Sequence, residues 1–258
     1  MPGLQTLAAK KAELDRLRPL SPGSVAALDA WYDVELTYSS NAIEGNTLTR
    51  SETAVVLEKG ITVGGKPLRD HLEAVGHRDA LGYVRILAGR VETLREGDVR
   101  EIHRLVTGRV EPGEAGRYSM VQRQILGSPL VLPSPAELGP LMGDFGLWLG
   151  RVTGEAGGVE PEVAFAAHER LVTIHPFTDG NGRTGRLLMN LVLLKAGYPP
   201  VVIGPAERVA YVDGLQALQV GGDARPYAAF MRGRLEASLD HHLDALRRAV
   251  GPGGSRGP

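Results

Sequence analysis

The sequence predicts an all-α chain, one helical unit of 258 residues carrying one small β-hairpin. Three observations predict it. Apolar residues recur at helical spacing along most of the chain, start and stop signals punctuate those runs, and only one short stretch reads as strands around a turn. Leu4 to Leu17, rich in Ala, Leu, Lys and Glu, is a helix that stops before Pro19. Pro22 to about Ser39 is a second, apolar at Val25, Leu28, Trp31, Val34 and Leu36. Ser51 to Glu58 is short and ends at Gly60, and Leu68 to Ala88 places Leu72, Val75, Leu81, Val84 and Leu87 on one stripe. Asp98 to Thr107 is another such segment. The pattern then changes: Tyr118 to Leu132, with Val121, Ile125, Leu126, Val131 and a Gly127-Ser128-Pro129 turn, reads as a β-hairpin. Helix resumes after Ser134, with Pro135 at the first helical position. Val163 to Ile174, Arg183 to Ala196, Ala206 to Gln219 and Pro226 to Val250 complete the set. No repeat or linker divides the chain. An N-terminal helical part (1–110), a core (111–245) and a disordered tail (246–258, ending in Gly251-Pro252-Gly253-Gly254-Ser255-Arg256-Gly257-Pro258) form one compact unit.

Composition narrows the function classes. Lys and Arg number 29 against 30 Asp and Glu, so no global basic surface recommends nucleic acid or an anionic membrane as partner. The absence of cysteine removes disulfides, thiolate metal sites and cysteine nucleophiles together. No apolar run approaches the ~20 residues that span a bilayer, and the N-terminus lacks the order of a signal peptide. A cytoplasmic location is the default expectation. Only five of the 29 basic residues are lysines, and arginine is the better bidentate phosphate ligand.

The densest cluster of special residues is His175-Pro176-Phe177-Thr178-Asp179-Gly180-Asn181-Gly182-Arg183-Thr184-Gly185-Arg186. An apolar helix enters it and another leaves it, so it is a loop presented by a rigid scaffold. Gly180 and Gly182 permit positive φ and close approach of a ligand to the backbone. The amides of Asn181 to Thr184 then start a helix and offer an anion site. Arg183 and Arg186 lie three apart, on one face, within reach of a polyphosphate. Basic residues at a helix start oppose the macrodipole, which makes better sense with an anion between them. Asp179 is a hard oxygen ligand for Mg²⁺, and His175 accepts a proton near neutral pH. Each residue alone is ordinary in a turn between helices; the ordered set is not.

This stretch resembles the signature of Fic-domain proteins, His-Pro-Phe-x-(Asp/Glu)-Gly-Asn-Gly-Arg-x-x-Arg, matching every specified position. The resemblance runs over about residues 30–240, taking in Gly116-Arg117-Tyr118, the hairpin ending Leu132-Pro133-Ser134-Pro135, Ala196-Gly197-Tyr198-Pro199-Pro200, Arg208, Tyr211 and Asp223-Ala224-Arg225-Pro226. It implies the all-α Fic fold with a small hairpin flap, and transfer of AMP from ATP to a hydroxyl of a target protein. Carried over, His175 deprotonates the target's Ser, Thr or Tyr, and Asp179 holds Mg²⁺ on the α- and β-phosphates. Gly180, Asn181 and Gly182 cradle phosphates, Arg183 and Arg186 take the β- and γ-phosphates, and Tyr211 lines the adenine pocket unless it is a core residue. The flap, 122–133, pairs with the target's backbone as an added strand. The family commonly forms homodimers, though no residue here marks an interface.

Ser40-Asn41-Ala42-Ile43-Glu44-Gly45-Asn46 resembles the family's inhibitory motif, (Ser/Thr)-x-x-x-Glu-(Gly/Asn). It places Ser40, Glu44 and Gly45 on an N-terminal inhibitory helix (about 30–45), where the Glu44 carboxylate pairs with Arg186 and takes the γ-phosphate's place. Gly45 equally suits a plain helix C-terminus. In some relatives the same glutamate serves AMP removal. Transfer of another nucleotidyl group, phosphocholine or phosphate, and a non-catalytic nucleotide-binding regulatory module, stand as alternatives. A kinase-like variant is disfavoured, since such relatives carry Lys where this chain has Gly182. Gly60-Ile61-Thr62-Val63-Gly64-Gly65-Lys66-Pro67 nearly matches a P-loop, but Pro67 stands where Ser/Thr holds Mg²⁺. His168-Glu169 lacks the second histidine of a zinc protease, and His71, His77 and His103 read as helix-surface or interface residues. Gln219 falls where some relatives carry Asn, beside an apparent one-residue insertion at Gly221-Gly222.

Overall fold

The computed structural model describes residues 2–125, 127–154 and 160–250. Among them are ten α-helices: α1 (Pro2–Arg16), α2 (Pro22–Ile43), α3 (Arg50–Lys59), α4 (Leu68–Ala88), α5 (Glu96–Thr107), α6 (Pro135–Gly154), α7 (Pro161–Ile174), α8 (Asn181–Lys195), α9 (Arg208–Gln219) and α10 (Arg225–Val250), with a 3₁₀ turn at Pro205–Glu207 before α9. None is long and apolar enough to cross a membrane.

α8 is the axis. Leu187, Leu188, Met189, Leu191, Val192 and Leu193 make it apolar around its whole circumference, and each is fully buried. A helix of that kind has to be enclosed on all sides, and α7, α4 and α5 enclose it. α1 lies along α10, where Leu7 and Leu14 join Leu239, Leu243 and Leu246 in the main core. A satellite core of Leu48, Val56 and Ala74 fixes α3 to α4.

Three expectations need correction. First, α2 does not stop at Ser39 but runs to Ile43. Its last carbonyls have tertiary partners: Arg186 Nη2 donates to Ser40 O at 2.9 Å and Arg208 Nε to Ile43 O at 3.0 Å. Cations at a helix C-terminus satisfy orphan carbonyls and complement the dipole. Gly45 (φ 96°) then closes the helix, its amide bonding Ala42 O while that of Asn46 bonds Asn41 O, the pairing of a Schellman turn. Second, the expected β-hairpin forms no strand pairing among the described residues of 118–133. Pro129 and Pro133 have no amide to donate, and the two arms are joined instead by the Gln122 side chain, whose Nε2 donates to Leu132 O at 3.0 Å. Third, 246–250, expected both as the end of a helix to Val250 and as tail, are the end of α10, and the tail reading of them falls. Leu246 is buried, and Arg247 reaches Glu13 of α1 at 2.6 Å. The remainder of the expected tail, 251–258, lies outside the described residues.

Candidate active site

The loop between α7 and α8 is held in one shape by contacts on every side. His175 ends α7 in the left-handed region (φ 52°), the one non-glycine residue with positive φ among those described, its amide bonding Leu171 O at 2.9 Å. Such a conformation costs energy and persists where the surroundings over-determine it. They do so here. Phe177 is fully buried and stacks on the ring of His103 at 3.7 Å. His103 Nδ1 accepts the Gly116 amide at 2.9 Å, which leaves Nε2–H to donate to Asp179 O, also at 2.9 Å. Burial pushes the His103 pKa down to about 4, so this brace is neutral. Asn181 spends both ends of its side chain on Phe177, accepting from its amide at 3.0 Å and donating to its carbonyl at 2.7 Å. Gly180 has φ 76°, and a β-carbon there would lie 2.7 Å from Thr107 Cγ2.

His175 itself is oriented for proton transfer. Its Nδ1 lies 3.2 Å from Val172 O, which fixes the proton on Nδ1 and leaves the Nε2 lone pair free. Burial lowers its pKa below the ordinary imidazole value of 6.5, keeping the ring neutral.

Glu44, the residue that caps α2, reaches the start of α8. Its Oε1 accepts from Arg186 Nη2 at 2.7 Å, while Arg186 Nε donates to Ser40 Oγ at 3.0 Å. Burial opposes ionisation of Glu44, but Arg186 and then Arg183 outweigh it and hold the carboxyl below its usual range. The carboxylate rests over Gly182, where a β-carbon would stand 2.3 Å from Oε1. No side chain caps the first turn of α8, and this borrowed carboxylate is one of two beside its positive end, the other being Asp179.

Glu44, Gly182 and Arg186 share a cavity of about 150 Å³ with His175, Tyr211 and Gln219. Tyr211 is nevertheless a core residue, 3% exposed. Tyr227 donates to Phe165 O at 3.1 Å, so it accepts from His168 Nδ1 at 2.8 Å, and His168 Nε2 in turn accepts from Tyr211 OH at 2.7 Å. The chain of bonds ends next to Arg186. Burial first, then Arg186, brings the His168 pKa down to about 3.

The two motif arginines diverge instead of sharing a face. Arg186 turns to α2, while Arg183 is 3% exposed and pairs with Glu73 of α4 and with Asp179, both at 3.2 Å. Asp179 also meets Arg69 of α4 at 3.2 Å and accepts the Gly180 amide on Oδ1 at 2.6 Å. Burial works against its charge, but Arg183, that amide and Arg69 keep it ionised below the ordinary value.

Sequence reasoning put His175, Gly182, Arg186, Glu44, Ser40 and Tyr211 in one place, and they meet. Asn181 does not cradle an anion with its side chain, which is consumed by Phe177. Gly182 needs no positive φ; it lies inside α8, and what matters is the missing β-carbon. The Thr184 amide is spent on Gly180 O at 2.9 Å, which takes it out of the anion site. Of the two readings for His71, His77 and His103, the interface one holds: all three are buried between elements, as where His77 meets Thr37 of α2 and His103 meets the motif loop. Glu73, Arg69 and Arg123, whose Nη2 holds Thr178 O at 2.7 Å, went unseen because nothing local marks them.

Fold and site together define a helical protein in which a glutamate at the end of α2 covers the start of α8. The sequence profile of the Fic/DOC family matches residues 93–193. A protein adenylyltransferase Fic of Nematostella vectensis is 40% identical over 235 residues, 89% of this chain and 53% of that protein. The one of Culex quinquefasciatus is 38% identical over 251 residues, 96% of this chain and 49% of its own. The chain thus spans about half the length of the curated relatives it matches. Among solved structures, a Fic-1 fragment from C. elegans superposes with TM-score 0.81 at 32% identity, covering 95% of this chain and 71% of that one. A Fic domain containing signaling protein from Bacteroides thetaiotaomicron gives TM-score 0.87 at 28% identity, covering 99% and 100%. The chain belongs to the Fic/DOC family.

Proposed function

We propose that the chain transfers AMP from ATP to a Ser, Thr or Tyr hydroxyl of a target protein, and that Glu44 restrains the reaction. One observation carries the proposal: the free Nε2 face of neutral His175 and the Glu44-capped Arg186 line the same cavity. The protein adenylyltransferase relatives, 40% and 38% identical, support the choice of reaction.

With Glu44 withdrawn, Arg186 and the bare backbone at Gly182 are available to the triphosphate's terminal phosphates. His175 Nε2 takes the proton of the target hydroxyl as its oxygen bonds to the α-phosphorus. The bond from the α-phosphorus to the bridging oxygen breaks and pyrophosphate leaves. Positioning and charge stabilisation supply most of the rate of such a step, which suits a site built of fixed backbone and arginine. Asp179, ionised and with half its side chain exposed, fits Mg²⁺, which takes one or two protein carboxylates and completes its shell with phosphate and water. Bound there, the ion neutralises phosphate charge. No group of three acidic or histidine side chains forms an all-protein cage among the described residues. In this reading the segment 122–133 docks the target beside His175; the bond from Arg123 Nη2 to Thr178 O, next to the motif, supports it.

The test is label position. Glu44→Gly protein incubated with a cell lysate and ATP labelled on either the α- or the γ-phosphate should add only α-label over the same lysate given Glu44→Gly/His175→Ala protein, with an added AMP on hydroxyl side chains by mass spectrometry. Added γ-label over that control, or no added label, contradicts the proposal.

A further inference from the structure

Asp179 is already occupied by cations of this chain. Oδ1 accepts the Gly180 amide, and Oδ2 lies 3.2 Å from both Arg69 Nη2 and Arg183 Nη2. The same two guanidiniums converge on Glu73 Oε1, Arg69 Nε at 3.1 Å and Arg183 Nη1 at 3.2 Å. Arginine and carboxylate therefore alternate around a closed ring of four charges, each carboxylate using one oxygen for both arginines. Arg69 makes one further contact, from Nη1 to Glu111 Oε1 at 3.3 Å.

The two arginines are not equivalent. Arg183 belongs to α8, its side chain is 4% exposed, and it is fixed between Glu73 and Asp179 at the buried start of that helix. Arg69 comes from the first turn of α4, its side chain is 50% exposed, and it can swing into water at little cost. It is the one cation on Asp179 that another cation can replace.

We propose that Arg69 is the resident counter-ion of the outer face of Asp179, and that a divalent cation loads by displacing it. The inference rests on the functional reading above, which gives Asp179 to the metal. Removing Arg69 does two things. It vacates Oδ2 on the solvent side, and it leaves Asp179, Glu73 and Glu111 facing Arg183 alone, a local field two charges negative instead of one. Both changes favour a divalent ion. Arg69 thus sets the metal concentration at which the site fills, a role distinct from that of Glu44, which excludes phosphate.

The experiment reads metal binding directly. Mn²⁺ is titrated by electron paramagnetic resonance in the presence of α,β-methylene ATP, which cannot release pyrophosphate, on Glu44→Gly, Glu44→Gly/Arg69→Ala and Glu44→Gly/Asp179→Asn. The expected result is Mn²⁺ affinity tighter by about three- to fivefold without Arg69, the scale of an exposed ion pair, with binding lost in the Asp179→Asn protein. Equal or weaker affinity without Arg69, while binding still depends on Asp179, overturns this inference and leaves the functional reading standing. Absence of any Asp179-dependent Mn²⁺ binding overturns both.

Discussion

The carboxylate of Glu44 lies against the bare Cα of Gly182, so close that a β-carbon there would stand 2.3 Å from Oε1 and 3.1 Å from Arg186 Nη1. One missing methyl group thus serves two occupants, the glutamate of the same chain and, under the proposed function, a phosphate.

Gly182→Ala follows from that contact. The added methyl evicts Glu44 and leaves Arg186 its Ser40 bonds but no carboxylate, at a cost of about 1–3 kcal/mol typical of overpacking, and it narrows the anion site as well. Thermal unfolding should show a lowered Tm and labelling by ATP should not rise. Adding Glu44→Gly should recover part of the lost stability, since neighbours that clash are non-additive. An unchanged Tm in the single variant would mean the carboxylate does not rest there.

Tyr211→Phe keeps the ring and removes the one donor to His168 Nε2 among the described residues. A buried acceptor left without a partner costs about 1–3 kcal/mol, so denaturant unfolding should show a loss of that size. Full stability in this variant would remove Tyr211 from the chain of bonds behind Arg186.

The buried histidines set an acid limit. His77 and His168 both have folded pKa values of about 3, from burial and then from the nearby Arg186. Unfolded, they titrate near 6.5. Below that value the unfolded chain binds protons the folded one refuses, so stability falls as pH drops from 6.5 towards 3. Each ring costs about 1.4 kcal/mol per pH unit. Denaturant unfolding at about pH 7 and about pH 5.5 should differ by roughly 2–3 kcal/mol for the pair; equal stability at both would place the rings outside the core.

How much of this was written in the sequence depends on whether the information was local. α8 was legible because its residues from Leu187 to Leu194 are apolar but for Asn190, and the motif from His175 to Arg186 because its loop and helix start are contiguous. Leu68–Ala88 was read to the residue from its stripe alone. The end of α2 was misplaced because its terminal carbonyls are satisfied from α8 and from Arg208, far along the chain. The flap looked like a hairpin from its apolar residues and turn, yet its prolines withhold the amides a ladder requires. Asn181 lies within the motif and still has a different job from the expected one, because its geometry lets it reach Phe177 on both sides. Glu73 and Arg69 were invisible: they are ordinary charges on a helix surface until the fold carries α4 to the α8 start.

Under the proposed function the Glu44–Arg186 pair restrains catalysis. This restraint is tested most directly by incubating the unaltered chain, Glu44→Gly and Glu44→Gly/His175→Ala with α-labelled ATP and Mg²⁺, and counting label on the protein itself. Glu44→Gly should carry about tenfold more label than the unaltered chain, or higher, the worth of one charge-assisted hydrogen bond withdrawn from Arg186, and the added His175→Ala should return it to background. Equal labelling of the unaltered chain and Glu44→Gly would contradict it.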